Sequence, residues 1–324
     1  MNKYVNILHK TAYILLFGVF AVSCEQSDDS FTETIFVDEP ATDPSSKFYA
    51  FDRWLEDNYM KPYNLDFMYK MSDAGSDITY NLVPTELERA KRLAILIKYL
   101  WFDAYGEVAG HEFLQQYGPR MIHLIGSGAY NPRLGTVMLG SAEGGVEVTL
   151  YECNSFDPAN ISMDVLNEYF FKTMHHEFAH ILHQQRTYPK EFESYSAGYY
   201  DPSYWQERTN SVAASLGFAS PYGSSQPRED FVEIIANYIV QSDAWWAKWM
   251  DLASKPGIDG AGEVVAENLD GKAILETKIG ICRKWLKESW SIDLDSMRAV
   301  VGRRQLHISD AIAQGYAEIE SYNE

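Results

Sequence analysis

Two histidines four residues apart, His176 and His180, bracket a glutamate, Glu177, in the run Met174-His-His-Glu-Phe-Ala-His180. On a helix, positions four apart differ by only about 40° in direction, so both imidazoles can lean toward one point and hold a divalent metal at about 2.0–2.1 Å. Glu177 projects one step round the helix. From there its carboxylate reaches a water on the metal, the place of a general base in zinc hydrolysis. A hydrolytic zinc site takes three protein ligands and keeps one position open, so a third ligand must come from elsewhere. Glu229-Asp230-Phe231-Val232-Glu233 opens a later helical stretch, and its two glutamates, four apart, face one way. One can bind the metal while the other hydrogen-bonds the first histidine from behind. The expected arrangement is Glu229 as ligand, Glu233 as support and one Zn2+ per chain.

Two more histidines flank the motif. His175 projects about 100° from His176 and is expected to be solvated or structural. His183 shares the bearing of His176 but stands two turns away, so it is expected to line the site without binding the same ion. The ligand pattern of the metzincins would need glycine at 183 and histidine at 186, where this chain has His183 and Arg186, and that class is excluded.

The elements that must position these groups follow from hydrophobic spacing. Leu166, Tyr169, Phe170, Met174, Phe178, Ile181 and Leu182 form one apolar stripe and predict a helix over 163–186, with the histidine pair beside the stripe. Thr85 to Asp103 is a second amphipathic helix, with Thr85-Glu-Leu-Glu offering a capping box, and 47–69 suggests a short packed helix. Runs at 121–125, 136–139 and 146–151, broken by glycine-rich turns, predict a small antiparallel or mixed sheet. Residues 187–228 are rich in Tyr, Ser, Pro and Gly and read as a long irregular connection. Helices are then expected at 229–241, 243–252, about 272–289 and about 307–318. The fold class is therefore α+β. Residues 47–186 form an N-terminal subdomain with a small mixed sheet and the active-site helix, 187–228 connect, and 229–324 form a helical subdomain, with a cleft between. Trp245, Trp246 and Trp249 are expected in the core, and Cys153 and Cys282 either pair or stay free.

The chain has 324 residues, with 46 acidic against 27 basic side chains and a net charge of −19. That balance argues against a nucleic-acid partner. Apolar residues at 46% with 14% aromatics supply a sizeable core, and three cysteines are too few for a disulfide framework or a four-cysteine zinc fold. Lys3 and Lys10 precede the apolar run 11–22, too short at about a dozen residues to span a bilayer. Residues 1–23 read as a secretory signal. Ala21-Val22-Ser23-Cys24 resembles a bacterial lipobox, which implies that Cys24 becomes a lipid-bearing N-terminus. Residues 24–46 carry seven acids and no lysine or arginine and read as a solvated tether. Acids directly behind the lipid cysteine resemble the surface-export signal of Bacteroidetes lipoproteins, implying the outer membrane and its outer face, with the periplasmic face as the alternative.

His-Glu-x-x-His followed at a distance by Glu-x-x-x-acid resembles the gluzincins, in which the distant glutamate is the third ligand. Tyr222, seven residues before Glu229, is similar in place to a tyrosine of anthrax lethal factor that points at the metal, which implies that Tyr222 stabilises the oxyanion. Arg228 departs from thermolysin-type relatives, which carry asparagine there. Almost the whole chain resembles the zinc-binding metallopeptidase lipoproteins of Bacteroidetes. The likeness rests on Cys24, 176–183, Gly217-Phe-Ala-Ser220, 229–233 and the stretch 278–304. It implies a zincin-like fold and a surface-tethered zinc metallopeptidase acting on peptides or proteins, with outer-membrane import proteins as partners. In zincins the substrate backbone pairs with an edge strand before the active-site helix, which implies that role for 146–151. The alternative is a zincin-fold accessory or binding lipoprotein of a nutrient-import complex with little or no catalysis.

Overall fold

The computed structural model describes residues 43–71, 82–131, 136–138, 140–143, 147–266 and 270–323. The signal segment, Cys24 and the tether up to residue 42 lie outside the described residues.

Helix α1 (Tyr49–Leu55) continues through a wider π-helical turn, Glu56–Met60, into a last short turn, Lys61–Tyr63. Asn64 ends it in the left-handed region, and the chain enters β1 (Asp66–Met68), a strand the helical spacing of 47–69 had hidden. The second predicted helix is α2 (Leu87–Ile97), a π-turn Lys98–Phe102, and α3 (Asp103–Ala109). Its expected capping box does not form: Glu86 stands at the N-cap without a side-chain cap, and its own N–H is held by Asn154 Oδ1 at 2.9 Å. A distant loop thus does the work assigned to a local motif. A short helix, α4 (His111–Tyr117), leads into the sheet.

The sheet is mixed. Strands β2 (Met121–Leu124), β3 (Ala129–Asn131), β4 (Thr136–Met138), β5 (Gly140–Glu143) and β6 (Glu147–Leu150) follow in sequence. Four strands pair in the order β1-β2-β6-β5, while β3 and β4 form a separate antiparallel pair. Strands β1, β2 and β6 run parallel, with Ile122 beside Val148 and Leu124 beside Leu150, and β5 runs antiparallel to β6. The strand expected at the edge, 146–151, is therefore interior. The edge next to the active-site helix is β5, because the chain folds back once before entering β6.

The motif helix begins as α5 (Met163–Leu166), widens through a π-turn Asn167–Phe171, and continues as α6 (Lys172–Gln185). The connection 187–228 contains two short helices, α7 (Glu191–Ser194) and α8 (Asn210–Ser215), the latter capped by Thr209, whose hydroxyl accepts the Val212 N–H at 3.2 Å. Helix α9 (Pro227–Val240) starts on a proline, where the missing N–H is no loss, and is buried on nearly every side. After α10 (Asp243–Ala253) come a small hairpin, β7 (Gly257–Ile258) and β8 (Val264–Ala266), and α11 (Gly271–Trp290). Two last helices, α12 (Leu294–Gln305) and α13 (Ile308–Ser321), end the fold. The spacing did not reveal α12, because only Leu294, Met297 and Val301 face inward among charged neighbours.

One continuous core joins the parts. It includes Phe51, Ile122, Phe178, Phe231 and Trp285, drawn from α1, the sheet, α6, α9 and α11. Trp246 and Trp249 are buried, as expected of core residues, whereas Trp245 is only half-buried and stacks on Trp249 at 4.8 Å. Cys153 and Cys282 are both free and buried, so the pairing left open in the sequence is not made. Among the described residues no helix is long and apolar enough to cross a membrane.

Candidate metal centre

The rotation of α6 is fixed by its apolar side. Phe178 is fully buried and packs edge-on against Trp101 and Tyr105, both at 5.0 Å between ring centres. His175 turns into the same core, where its Nδ1 meets the Tyr105 hydroxyl at 3.2 Å and burial pushes it down to about 3. It is a neutral structural residue rather than a solvated one. With those residues facing inward, His176 and His180 are left facing α9, which packs along α6.

Three donor atoms converge there. Glu229 Oε2 lies 3.3 Å from His176 Nε2 and 3.1 Å from His180 Nε2, and one ligand atom from each residue falls within 4.8 Å of the others. Two ligands at about 2.0–2.1 Å from an ion in tetrahedral geometry are about 3.3 Å apart, so this spacing fits a single four-coordinate metal. The other ring nitrogens are occupied from behind. His176 Nδ1 is 2.9 Å from Glu233 Oε1, while Glu233 Oε2 accepts from the Ser220 hydroxyl and from Asn237 Nδ2 at 3.2 Å. His180 Nδ1 is 2.8 Å from His183 Nε2.

That last contact is a role the sequence reading missed. If His180 turns the Nε2 lone pair to a metal, its Nδ1 must carry the proton and donate it, so His183 accepts at Nε2 and holds its own proton on Nδ1. Burial and the neighbouring His180 push His183 down to about 4, which keeps it neutral and able to accept. The signal was available in the helical neighbourhood of residues three apart.

The charges around the cluster call for a cation. Burial would raise Glu229, yet hydrogen bonds from His176 and His180 hold it well below the usual carboxylate range. Glu233 is likewise held low against burial, by the Lys172 charge and by His176. Burial would lower His176, but its bonds to Glu229 and Glu233 push it up to about 10. The carboxylates thus draw positive charge onto an imidazole, the charge a divalent ion supplies once the ring is deprotonated. Glu177 is raised, first by burial, while both histidines pull it the other way. Tyr222 opens a short 3-10 turn, with its ring 5.8 Å from His176 and braced edge-on by Trp205 at 5.0 Å. Burial and a hydrogen bond to Glu229 raise its phenol. The structure therefore brings His176, His180, Glu229, Glu233, Glu177 and Tyr222 into one cluster.

Residues 45–295 match the family described as "putative zinc-binding metallo-peptidase". The chain belongs to that family. It is also similar to a crystal structure of a "putative zinc-binding metallo-peptidase" from Bacteroides caccae, 44% identical over 81% of this chain and 93% of that one, with a TM-score of 0.66. No curated protein matches it. Together these carry the zincin-like α+β fold and a zinc-binding peptidase family.

Against this metallopeptidase background, the neighbouring side of α9 is plain protein architecture. Asp230 Oδ2 accepts from Lys278 Nζ at 2.5 Å, both fully buried, and from the half-buried Tyr200 hydroxyl at 2.9 Å. Lys278 also donates to Ser196 Oγ at 2.7 Å and to the Gly217 carbonyl at 2.9 Å, so all three ammonium hydrogens have acceptors. Gly217 has φ +80, and a Cβ there would stand 2.3 Å from Ile274, which requires glycine at this acceptor.

Proposed function

We propose that this chain hydrolyses peptide bonds at a zinc ion held by His176, His180 and Glu229. The observation that carries the reading is the convergence of those three donor atoms at first-ligand spacing, with Glu177 in the electrostatic reach of all three. When bound, zinc supplies Lewis acidity toward the scissile carbonyl and makes water easier to deprotonate. Glu177 accepts that water's proton on a carboxylate oxygen and passes it to the leaving amine; its raised proton affinity suits the task. The Tyr222 hydroxyl is a donor for the developing oxyanion. Glu233 and His183 fix the ring planes of His176 and His180, so that both Nε2 lone pairs stay aimed at the ion.

Strand β5 is the proposed docking edge for substrate backbone, since it borders the sheet and packs against α6. The chain is further proposed to work as an outer-membrane lipoprotein anchored through Cys24, on the sequence of residues 1–46 alone. Replacing Glu177 by glutamine tests the mechanism. Zinc content should stay at one per chain, while peptide turnover falls by roughly 10²–10⁴-fold. Undiminished turnover would remove Glu177 from the reaction. A zinc-loaded wild type that cleaves no member of a peptide library would leave the accessory-binding reading instead.

A further inference from the structure

We propose that Arg228 selects substrates carrying a carboxylate on the residue next to the scissile bond. The inference rests on the peptidase reading and adds its substrate class. Arg228 is the immediate neighbour of Glu229, and its Nε donates to Glu229 Oε1 at 3.2 Å. That is the oxygen turned away from the histidines, since Oε2 faces both Nε2 atoms. The Nε edge of the guanidinium is therefore committed. Its end, with the two terminal nitrogens, makes no hydrogen bond among the described residues, and the side chain is 60% exposed.

Other arginines of the fold are used differently. Arg186, Arg208, Arg283 and Arg298 each tie a terminal nitrogen to a backbone carbonyl or a carboxylate. Lys172, the other cation beside the cluster, lies 3.7 Å from Glu233 Oε2. Arg228 thus presents a planar pair of parallel donors to solvent beside Glu229, the geometry that binds a carboxylate through both oxygens. Its terminal nitrogens lie about 6–8 Å from the metal-facing oxygen of Glu229, across the carboxylate and the 3.2 Å contact, a reach of about two residues of extended chain that one flanking residue covers with its side-chain or C-terminal carboxylate. Glu177, Glu229 and Glu233 would otherwise repel an acidic group arriving here. The fork turns that rejection into preference. Either an acidic side chain or the free C-terminus of a short peptide satisfies the chemistry.

The two sources are separated with matched peptides. One pair ends in a free carboxylate or its amide, and the other carries Glu or Gln beside the cleaved bond. The zinc-loaded full chain, Arg228→Gln and Arg228→Glu are compared by kcat/KM on each member. Binding of the same peptides is measured by calorimetry on zinc-loaded Glu177→Gln protein, with and without Arg228→Gln. The expected result is a preference for the carboxylate member of roughly 10- to 100-fold in one pair or both, abolished in Arg228→Gln. In Arg228→Glu it should reverse toward the uncharged member. A loss shared equally by both members would make Arg228 only a brace for Glu229 and overturn the proposal, as would equal affinity of both members for the Glu177→Gln protein. If nothing is cleaved by any form, the peptidase reading fails, and the calorimetry still decides on Arg228.

Discussion

Glu229 and Asp230 are neighbours in sequence, and α9 turns them about 100° apart, into two different kinds of charge compensation. On one face, Glu229 and Glu233 meet imidazoles. On the other, Asp230 meets Lys278, whose ammonium also lies 4.6 Å from the centre of the Phe218 ring. Burial lifts Asp230 to about 6 and lowers Lys278, so each is drawn toward its neutral form and their contact works against that pull. The protein carries its own cation on the core face. On the proposed metal face Lys172 and the proton drawn onto His176 offset the glutamates, and a divalent ion from solution would take that proton's place, so the charge there is exchangeable.

The largest expected effect tests the fixed side. Lys278→Met leaves Asp230 buried without its cation and should destabilise the chain by about 3–5 kcal/mol in urea denaturation, with most of the loss recovered by adding Asp230→Leu. A single variant as stable as the wild type would break the contrast. The exchangeable side is tested by Glu229→Gln. A chelator-competition titration should register a loss of zinc affinity greater than the roughly 100-fold that marks removal of a supporting residue. Its stability in chelator should fall less than that of Lys278→Met. If it unfolds as readily, the two faces are not separate devices. The smallest effect sharpens the boundary: His183→Ala should weaken zinc by about 10- to 100-fold, since His180 loses its acceptor. Unaltered affinity would make the 2.8 Å contact incidental.

What the sequence made legible follows the range of each signal. His176, His180 and Glu177 could be read because one helix turn sets their relations, and Glu229 with Glu233 for the same reason. The helices over 163–186 and 229–241 could be read from their spacing. Asp230 could not be told apart from its neighbours, because its cation lies 48 residues away on α11. The edge strand was misplaced because sheet order depends on the reversal between β5 and β6, which alternation along a strand does not encode. Thr85 failed as a cap because Asn154, distant in sequence, supplies the group that fixes the start of α2. Buried free thiols at 153 and 282 likewise depend on where the chain has carried them.

The wide turn at Asn167–Phe171 sets the phase of everything that follows it. Each residue of a helix adds about 100° of rotation, and a turn that accommodates one extra residue delays the downstream face by about that angle. Leu166 upstream and Phe178 downstream can then both be buried, while the imidazoles beyond the turn come round to meet α9. The spare residue works like the offset in a key: it does no chemistry itself, yet it decides which side of the rod meets the lock.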